Sequence, residues 1–247
     1  MKYGAFSFIF YMKIAITDIR ISNKCERALE KEGFFLIKLS PDHNLGTAVQ
    51  SHPDTLLFYS GGEIITTADY CEDAPYVFTD LREYCQSIKI TFTADERRNK
   101  YPLDCVMNAL VVEDKIFCKS DTVSKAIIRL AERQRLEICH VKQGYPACTT
   151  LAFGNNAITA DAGMADALSK KGVKVTLINN GDISLPPYEY GFIGGASAVY
   201  ENKVYFLGDL STHRDGVKIR SAIESAGYKV ISLSDEPLSD LGGIIFL

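Results

Sequence analysis

Apolar and polar residues along the chain fall into five stretches that repeat one order of elements. In the middle three stretches, two short β-rich runs flank a polar turn, a helical pattern follows, and a further β-rich run closes the stretch. The leading pairs of runs lie at 111–117, 152–158 and 199–205, and the closing runs at 136–141, 173–178 and 228–233. Because one such unit cannot bury its own apolar face, the repeat predicts a closed or stacked array of strand–strand–helix–strand units.

The outer units complete this division of the chain. The units are predicted at about 13–54, 55–107, 108–149, 150–196 and 197–247. The first begins with a clean strand at 13–18 and lacks a leading hairpin strand, whereas the chain finishes in an apolar run at 244–247 with no helix after it. We expect this last run to join the first unit, which would remove an open sheet edge. No Pro/Gly/Ser-rich linker separates the units, so the sequence predicts a single domain over 13–247.

Turn and cap residues recur at matching places in the units. Hairpin turns need residues that accept φ > 0, and three fit that need: Asp114, Asn155 and Asn202. Three glycines stand where helices should end, each before an apolar strand: Gly33, Gly172 and Gly227. Three residues are expected as helix N-caps: Asp121, Asp161 and Ser211. These local signals agree with the boundaries that the apolar pattern predicts.

Composition places the chain among ordinary globular proteins. Of 247 residues, 47% are hydrophobic and 23% charged, and the net charge of −4 comes from interspersed signs. A nucleic-acid partner is not expected, since the sequence has no basic stripe. Residues 1–11 are apolar but too short to span a bilayer, and we interpret them as an extension or a misplaced start that could add an edge strand.

The cysteines indicate a reducing environment. There are seven, their spacing is irregular, and no pair lies at a CxxC interval. This pattern is typical of free thiols in the cytoplasm and not of a disulfide framework or a zinc site. No two histidines have metal-ligand spacing either. The sequence therefore predicts a cytoplasmic protein with no cofactor and no dedicated metal site.

A five-fold ring of such units resembles the pentein superfamily, the α/β-propeller of the guanidine-modifying enzymes, and is most similar to an uncharacterised bacterial branch of it. Deiminases, dimethylarginine hydrolases and amidinotransferases belong there, and translation initiation factor six shares the ring without being an enzyme. The resemblance covers 13–247 at the level of architecture. It implies a five-fold pseudo-symmetric α/β-propeller of ββαβ units around a central channel, into which the junctions between units point.

The motif of the hydrolytic members is altered here. In those enzymes a cysteine thiolate attacks a guanidinium carbon, a histidine acts as acid and base, and carboxylates hold the cation. Their cysteine lies late in the last unit, within a pattern like Gly-Gly-Ile-His-Cys. The corresponding run here is Gly242–Phe246, with Ile245 and Phe246 in the His and Cys positions. The departure argues against the usual hydrolase mechanism.

Two cysteines at unit junctions are candidates for a displaced nucleophile. We favour Cys148, because the adjacent Asp104 should raise the pKa of Cys105 and disfavour its thiolate. The alternative interpretation is that Cys148 simply packs in the core, as most free cysteines do.

His52 and Asp54 form the sharpest small motif, with Pro53 fixing the backbone between them. They are expected to assist Cys148 in catalysis, and the competing interpretation is a turn closed by an aspartate hydrogen bond. Five further polar residues are expected to bind the ligand: Asp104, Asn108, Thr149, Ser197 and Glu63. Glu63 fits an exposed hairpin position equally well.

Two hypotheses follow from the sequence. The first is a cysteine-dependent hydrolase or transferase acting on a guanidino or amino compound in the channel. The second is a non-catalytic protein with the same ring that binds a small ligand or a macromolecular partner. Both predict a small polar, guanidino-type ligand and no membrane association. A homodimer is compatible with exposed edge elements, although no residue identifies its interface.

Overall fold

Short strands and helices alternate along the chain in the computed structural model, which describes residues 12–247. The extension expected at 1–11 lies outside the described residues. The strands are β1 (Lys13–Asp18), β2 (Phe34–Leu39), β3 (Phe58–Ser60), β4 (Glu63–Thr67), β5 (Lys89–Thr93), β6 (Leu110–Val112), β7 (Lys115–Cys118), β8 (Glu137–His140), β9 (Thr150–Phe153), β10 (Asn156–Thr159), β11 (Lys174–Leu177), β12 (Ile183–Ser184), β13 (Ser197–Tyr200), β14 (Lys203–Phe206), β15 (Lys229–Ser232), β16 (Leu238–Ser239) and β17 (Ile245–Phe246).

The helices lie between these strands. They are α1 (Asn23–Lys31), α2 (Pro53–Leu56), α3 (Ala68–Asp73), α4 (Pro75–Tyr84), α5 (Lys125–Arg133), α6 (Pro146–Thr149), α7 (Ala162–Lys170) and α8 (Gly216–Ser225), with one 3₁₀ turn at Leu210–Thr212. Across residues 12–247, none of them is long and apolar enough to cross a bilayer. The chain is therefore a mixed α/β protein.

Within residues 12–247 the strands form five three-stranded sheets of one design, and β12 pairs with β16 in a separate parallel ribbon. In each larger sheet the middle strand pairs antiparallel on one side and parallel on the other. The orders are β17-β1-β2, β3-β4-β5, β6-β7-β8, β9-β10-β11 and β13-β14-β15. The parallel partner always follows a helix, because a parallel connection must cross back over the sheet.

Helices cover these sheets through narrow apolar faces. On α5 the buried positions Ile127, Leu130 and Ala131 recur at helical spacing and pack against Ile116 of β7. The core is accordingly divided into several clusters, one of which contains the fully buried Tyr70 and Phe78. Neighbouring sheets share these clusters, as where Ile14 of β1 and Ile64 of β4 belong to the same one.

The last strand completes the first sheet, as expected. Ala15 of β1 is opposite Phe246 of β17 in antiparallel register. Leu247 extends the pairing, since its amide donates to the Ile14 carbonyl at 2.9 Å and its carbonyl accepts from Ile14 at 3.0 Å. Residues almost a whole chain apart therefore share one sheet.

Helix ends follow the sequence prediction more closely than helix starts. The glycines at 33, 172 and 227 all have positive φ directly after a helix, and Asp161 caps α7 by accepting from the Met164 amide. The caps expected at Asp121 and Ser211 are wrong, because α5 is capped by Ser124 and α8 begins after Asp215. Asp121 instead pairs with Lys119. A polar residue on a loop has other partners available besides a helix end.

The hairpins turn where predicted, but with a different residue in the left-handed region. The positive φ angles belong to Glu113, Gly154 and Glu201, each one residue before the expected Asp or Asn. Asp114 pairs with Lys115 at the turn. The aspartate and asparagines therefore occupy the second turn position, where positive φ is not needed in a type II′ geometry.

Candidate functional site

Two four-residue helices bring the candidate catalytic residues together. Helix α2 begins at Pro53 and helix α6 at Pro146, both with proline in the first turn, where the missing N–H costs nothing. His52 precedes α2, Asp54 lies within it, and Cys148 lies within α6. Ligand atoms of these three side chains all lie within 4.8 Å of one another. The predicted catalytic residues thus form one cluster.

The Cys148 thiol donates a hydrogen bond to Asp54 Oδ2 at 2.5 Å. Asn108 holds the two short helices in this relation. Its amide nitrogen donates to the Asp54 carbonyl at 3.1 Å, and its amide oxygen accepts from the Ala147 backbone at 2.8 Å. The same nitrogen lies 3.5 Å from Cys148 Sγ. Asn108, predicted as a ligand residue, therefore positions the thiol and the carboxylate.

His52 is fully buried, yet neither ring nitrogen has a hydrogen-bond partner. Two carboxylates flank the ring without bonding to it: Asp18 Oδ2 is 3.9 Å from Nε2 and Asp240 Oδ1 is 3.8 Å from Nδ1. Burial, with the Arg20 charge adding to it, lowers the pKa of His52 to about 3. The imidazole is therefore neutral near pH 7.

The flanking carboxylates are fixed by other groups. The Arg20 guanidinium donates two hydrogen bonds to Asp18, from Nε to Oδ1 at 2.9 Å and from Nη2 to Oδ2 at 2.5 Å. Asp240 accepts from the backbone amides of Phe192 at 2.8 Å and Gly242 at 3.1 Å. Burial nevertheless raises the pKa of Asp240 to about 6. Both side chains are thereby held in place beside His52.

Burial makes Asp54 and Cys148 poor at carrying negative charge. It raises the pKa of Asp54 to about 7, and the neighbouring Asp240 adds to the effect. The pKa of the Cys148 thiol is raised well above its ordinary value by burial and then by Asp54 and Asp240. The pKa of Cys105 rises to about 12, again through burial first and Asp104 second. Asp104 raises the pKa of Cys105 as expected, but the pKa of Cys148 is raised as well, so this comparison does not distinguish the two thiols.

Glycines give the cluster its close packing, as the paired glycines of the junctions suggested. A Cβ on Gly195 would overlap the Asp240 carboxylate, and one on Gly242 would overlap His52. Gly242 also has φ +70°, which a side chain disfavours. These positions let the backbone pass directly beside His52 and Asp240.

A cavity of about 530 Å³ opens onto the cluster. Its floor includes His52, Cys148 and Asp240, and its walls are largely aromatic, with Tyr101, Tyr145, Tyr188, Tyr190 and Phe192. Its charged lining residues, among residues 12–247, are Asp104, Glu189 and Asp240, all acidic. Asp54 lies behind this floor and also faces two smaller cavities of about 250 and 200 Å³. A larger cavity of about 800 Å³, beside Tyr84 and Tyr200, contains none of these cluster residues.

A family model described as "Family of unknown function (DUF6873)" matches residues 16–245. The chain belongs to this family. No curated protein matches the sequence.

Solved structures of guanidine-modifying enzymes share the fold of this DUF6873 member. Dimethylarginine dimethylaminohydrolase of Pseudomonas aeruginosa, as a mutant with citrulline, is 15% identical with a TM-score of 0.55, over 90% of this chain and 91% of that one. The agmatine deiminase of C. jejuni is 8% identical with a TM-score of 0.55, over 95% of this chain and 92% of that one. The amidinotransferase SxtG of Microseira wollei is 13% identical with a TM-score of 0.53, over 94% of this chain and 90% of that one. The resemblance to the pentein superfamily is thus confirmed at the level of fold.

The remaining predicted ligand residues of this DUF6873 member divide between the cavities and other contacts. Asp104 lines the large aromatic cavity, and Ser197 lines a smaller one behind Asp54. The Thr149 and Ser197 hydroxyls donate to the backbone carbonyls of Pro146 and Ile193. Glu63 is bound by Thr91, Lys89 and Arg133 and lines none of these three cavities. Its contacts are those of a structural ion-pair network.

Sequence reasoning missed three residues of the cluster in this family member. Asp18 ends the apolar strand β1, where a buried carboxylate next to Arg20 was a usable signal. Asp240 precedes the Gly242–Gly243 pair in the last junction, and its role depends on the amides of a distant loop. The third is Arg20, which donates to the backbone carbonyls of Thr47 and Ala48 in addition to Asp18. Only contacts across the chain reveal these roles.

Proposed function

We propose that this protein binds a small organic cation with a planar amidinium or guanidinium head in the aromatic cavity, and that Cys148 reacts with that head as a hydrolase or transferase nucleophile. The observation that carries the proposal is the charge of the site. A buried thiol, the buried Asp240 carboxylate and the half-buried Asp54 carboxylate meet below a cavity whose charged lining residues are all acidic, within residues 12–247.

The excess of negative charge at the site supports a cationic ligand. Burial raises the pKa values of both Asp54 and Asp240, and the charge of Arg20 offsets the shift of Asp240 only in part. A guanidinium offers paired N–H donors that match carboxylate oxygens. The aromatic walls suit the same ligand, because the face of a tyrosine ring attracts a cation.

The cation would also activate the thiol. Its charge beside Asp54 and Asp240 offsets the carboxylates that keep Cys148 protonated. Asp54 then takes the thiol proton, since a base with a pKa of about 7 suits proton transfer near neutral pH. His52, with its lowered pKa, is a weaker base than the sequence suggested.

In the reaction, Cys148 Sγ forms a bond to the amidine carbon and the C=N electron pair moves to nitrogen. The C–N bond to the leaving amine then breaks, and the amine departs with the proton held by Asp54. An S-amidino adduct on Cys148 remains. Water releases it in a hydrolase and a second amine releases it in a transferase.

We further infer that the five sheets surround a central channel in a five-fold α/β-propeller, as one domain over 13–247. The common strand order of the sheets and the pairing of β17 with β1 support this arrangement. Asp54 lines the two smaller cavities and bonds to Cys148, which lines the aromatic cavity, as a side chain within a channel would.

A second candidate function is binding without turnover. Two observations favour it: the raised pKa of Cys148, and the burial of Phe246 in an aromatic cluster where the hydrolytic members have their cysteine. In that case the site holds the cation, and the thiol serves as a hydrogen-bond donor to Asp54. A macromolecular partner remains compatible with this second function.

Labelling with 2-chloroacetamidine, against the neutral 2-chloroacetamide of nearly the same shape, tests the proposal. Peptide mass spectrometry should find that the amidine modifies Cys148 about tenfold faster or more, because only the cation is attracted to the carboxylates. Asp54→Asn should remove most of this preference. Cys105 is the internal control and should show no preference for the amidine.

Equal rates for the two reagents at Cys148 would overturn the cation site. A preference in binding, measured as protection of the protein against thermal unfolding by acetamidine, without any adduct on Cys148, would favour the second function. Cys148→Ser separates the two further, since it should abolish amine release from an arginine-type substrate and leave binding of that substrate measurable.

A further inference from the structure

We propose that His52, Asp54 and Cys148 form a binding site for a divalent transition metal, with Zn²⁺ as the best match. Their ligand atoms lie within 4.8 Å of one another. Imidazole nitrogen, carboxylate oxygen and thiolate sulfur together are a donor set that favours zinc over magnesium or calcium. No ligand spacing in the sequence indicates this site, because Cys148 lies 94 residues after Asp54.

The unpaired imidazole is an independent observation that points to a ligand. His52 is fully buried, and both ring nitrogens lack a hydrogen-bond partner in a site crowded with carboxylates. Leaving a buried polar group without a hydrogen-bond partner destabilises the folded state. Coordination through one nitrogen would satisfy it.

The surroundings supply what a coordinated histidine needs. Metal-bound histidines usually donate their second ring N–H to a carboxylate, which fixes the ring. Asp18 and Asp240 lie on opposite sides of the ring at 3.9 and 3.8 Å, and Arg20 already holds Asp18 in place. A shift of less than one ångström would bring either carboxylate into hydrogen-bond range.

Metal binding would change the contact between Cys148 and Asp54. In tetrahedral zinc sites the ligand atoms are about 3.3–3.8 Å apart, given Zn–N and Zn–S distances of about 2.0–2.3 Å. The 2.5 Å contact between Cys148 Sγ and Asp54 Oδ2 must therefore open, with loss of the thiol proton. A fourth position would face the 530 Å³ cavity, which His52 and Cys148 both line.

The metal and the organic cation would exclude each other, because both use Asp54 and the thiol. A metal at this position would block the amidine reaction by occupying the nucleophile. The inference goes beyond the proposed function and does not require it: a metal can bind here whether or not Cys148 carries out catalysis.

Cobalt titration of the reduced, metal-free protein tests the site. One equivalent of Co²⁺ should produce the intense near-ultraviolet band of thiolate-to-cobalt charge transfer, and one equivalent of Zn²⁺ should remove it. The band should be lost in Cys148→Ser. The affinity for Co²⁺ should be at least about tenfold lower in His52→Ala. Cys105→Ser is the matched control, since it removes a neighbouring junction thiol that the site does not use.

A measurement on the unmodified protein guards against variants that fail to fold. One equivalent of Zn²⁺ should slow alkylation of Cys148 by 2-chloroacetamide about tenfold or more and leave Cys105 unchanged. No cobalt band, or a band that survives Cys148→Ser, would overturn the inference. If the metal test fails and Cys148 still reacts faster with the amidine, the metal site is rejected and the proposed function is kept.

Discussion

The carboxylate of Asp54 opposes the stability of the folded protein at neutral pH and above. It is largely shielded from solvent and lies near Asp240, so its pKa rises to about 7 from an ordinary 3.8. A carboxyl whose pKa is higher in the folded state loses stability as pH rises between these two values. Above about pH 7 the folded protein carries the full cost of the buried charge.

Asp54→Asn should therefore raise the melting temperature at pH 8 and change it much less at pH 4, because asparagine keeps an acceptor for the thiol without the charge. Thermal unfolding in the presence of a chelator measures this. Asp182→Asn is a control of opposite sign, since Arg214 lowers the pKa of Asp182 and the substitution removes a favourable ion pair. A fall in melting temperature at pH 8 for both variants would contradict the prediction.

At the scale of residues, the sequence predicted which residues belong to the candidate site better than it predicted how they interact. His52, Asp54, Asn108 and Cys148 stood out because they lie at junctions rich in Gly, Pro and Tyr. Their protonation was not predictable, since the shifts come from burial and from Asp240, which is far away in sequence. Glu63 was selected from its Gly-Gly neighbours alone, and Lys89 and Arg133 hold it elsewhere.

Among the elements, the two proline-initiated helices α2 and α6 carry the site, and neither was recognised as a helix. Each has only four residues, too short for an apolar repeat to show. The usable signal was proline at the first helical position. The longer strand β1 was predicted to the residue, at 13–18, because a continuous apolar run bounded by turn residues leaves little freedom.

The turn at Gly242 gives a prediction at this scale. Gly242→Ala should destabilise the protein by about 1–3 kcal/mol more than Gly62→Ala, because overpacking adds to backbone strain. Both glycines have positive φ, +70° and +81°, but only at Gly242 would a Cβ meet another group, the side chain of His52. Denaturant unfolding of the two variants measures the difference. Equal losses would mean that the approach to His52 has no energetic consequence.

Across the whole molecule, the pairing of β17 with β1 joins the two ends of the described chain. Phe246 packs its ring against Phe34, Tyr200 and Tyr205, at centroid distances of 4.7 to 5.3 Å. The strand therefore links the first sheet to the β13-β14-β15 sheet. The sequence predicted that the last apolar run would return to the first unit, since an open sheet edge is unfavourable.

Phe246→Ala should lower the free energy of unfolding by about 3 kcal/mol, the usual cost of removing a buried ring. Phe35→Ala, on β2 of the same sheet and with 38% of its surface exposed, should cost much less. Removal of residues 243–247 should lower the melting temperature further than either substitution. An unchanged melting temperature after this truncation would show that β17 does not hold the ends together.

This pairing also bears on how the protein folds during synthesis. Ala15 emerges from the ribosome early, whereas its partner Phe246 is added 231 residues later. The apolar edge of β1 must therefore wait unpaired while four further sheets are made, in the state in which strand edges are prone to aggregate. Contacts this distant in sequence also slow folding. Until β17 is made, the edge of β1 exposes the kind of apolar strand that chaperones bind.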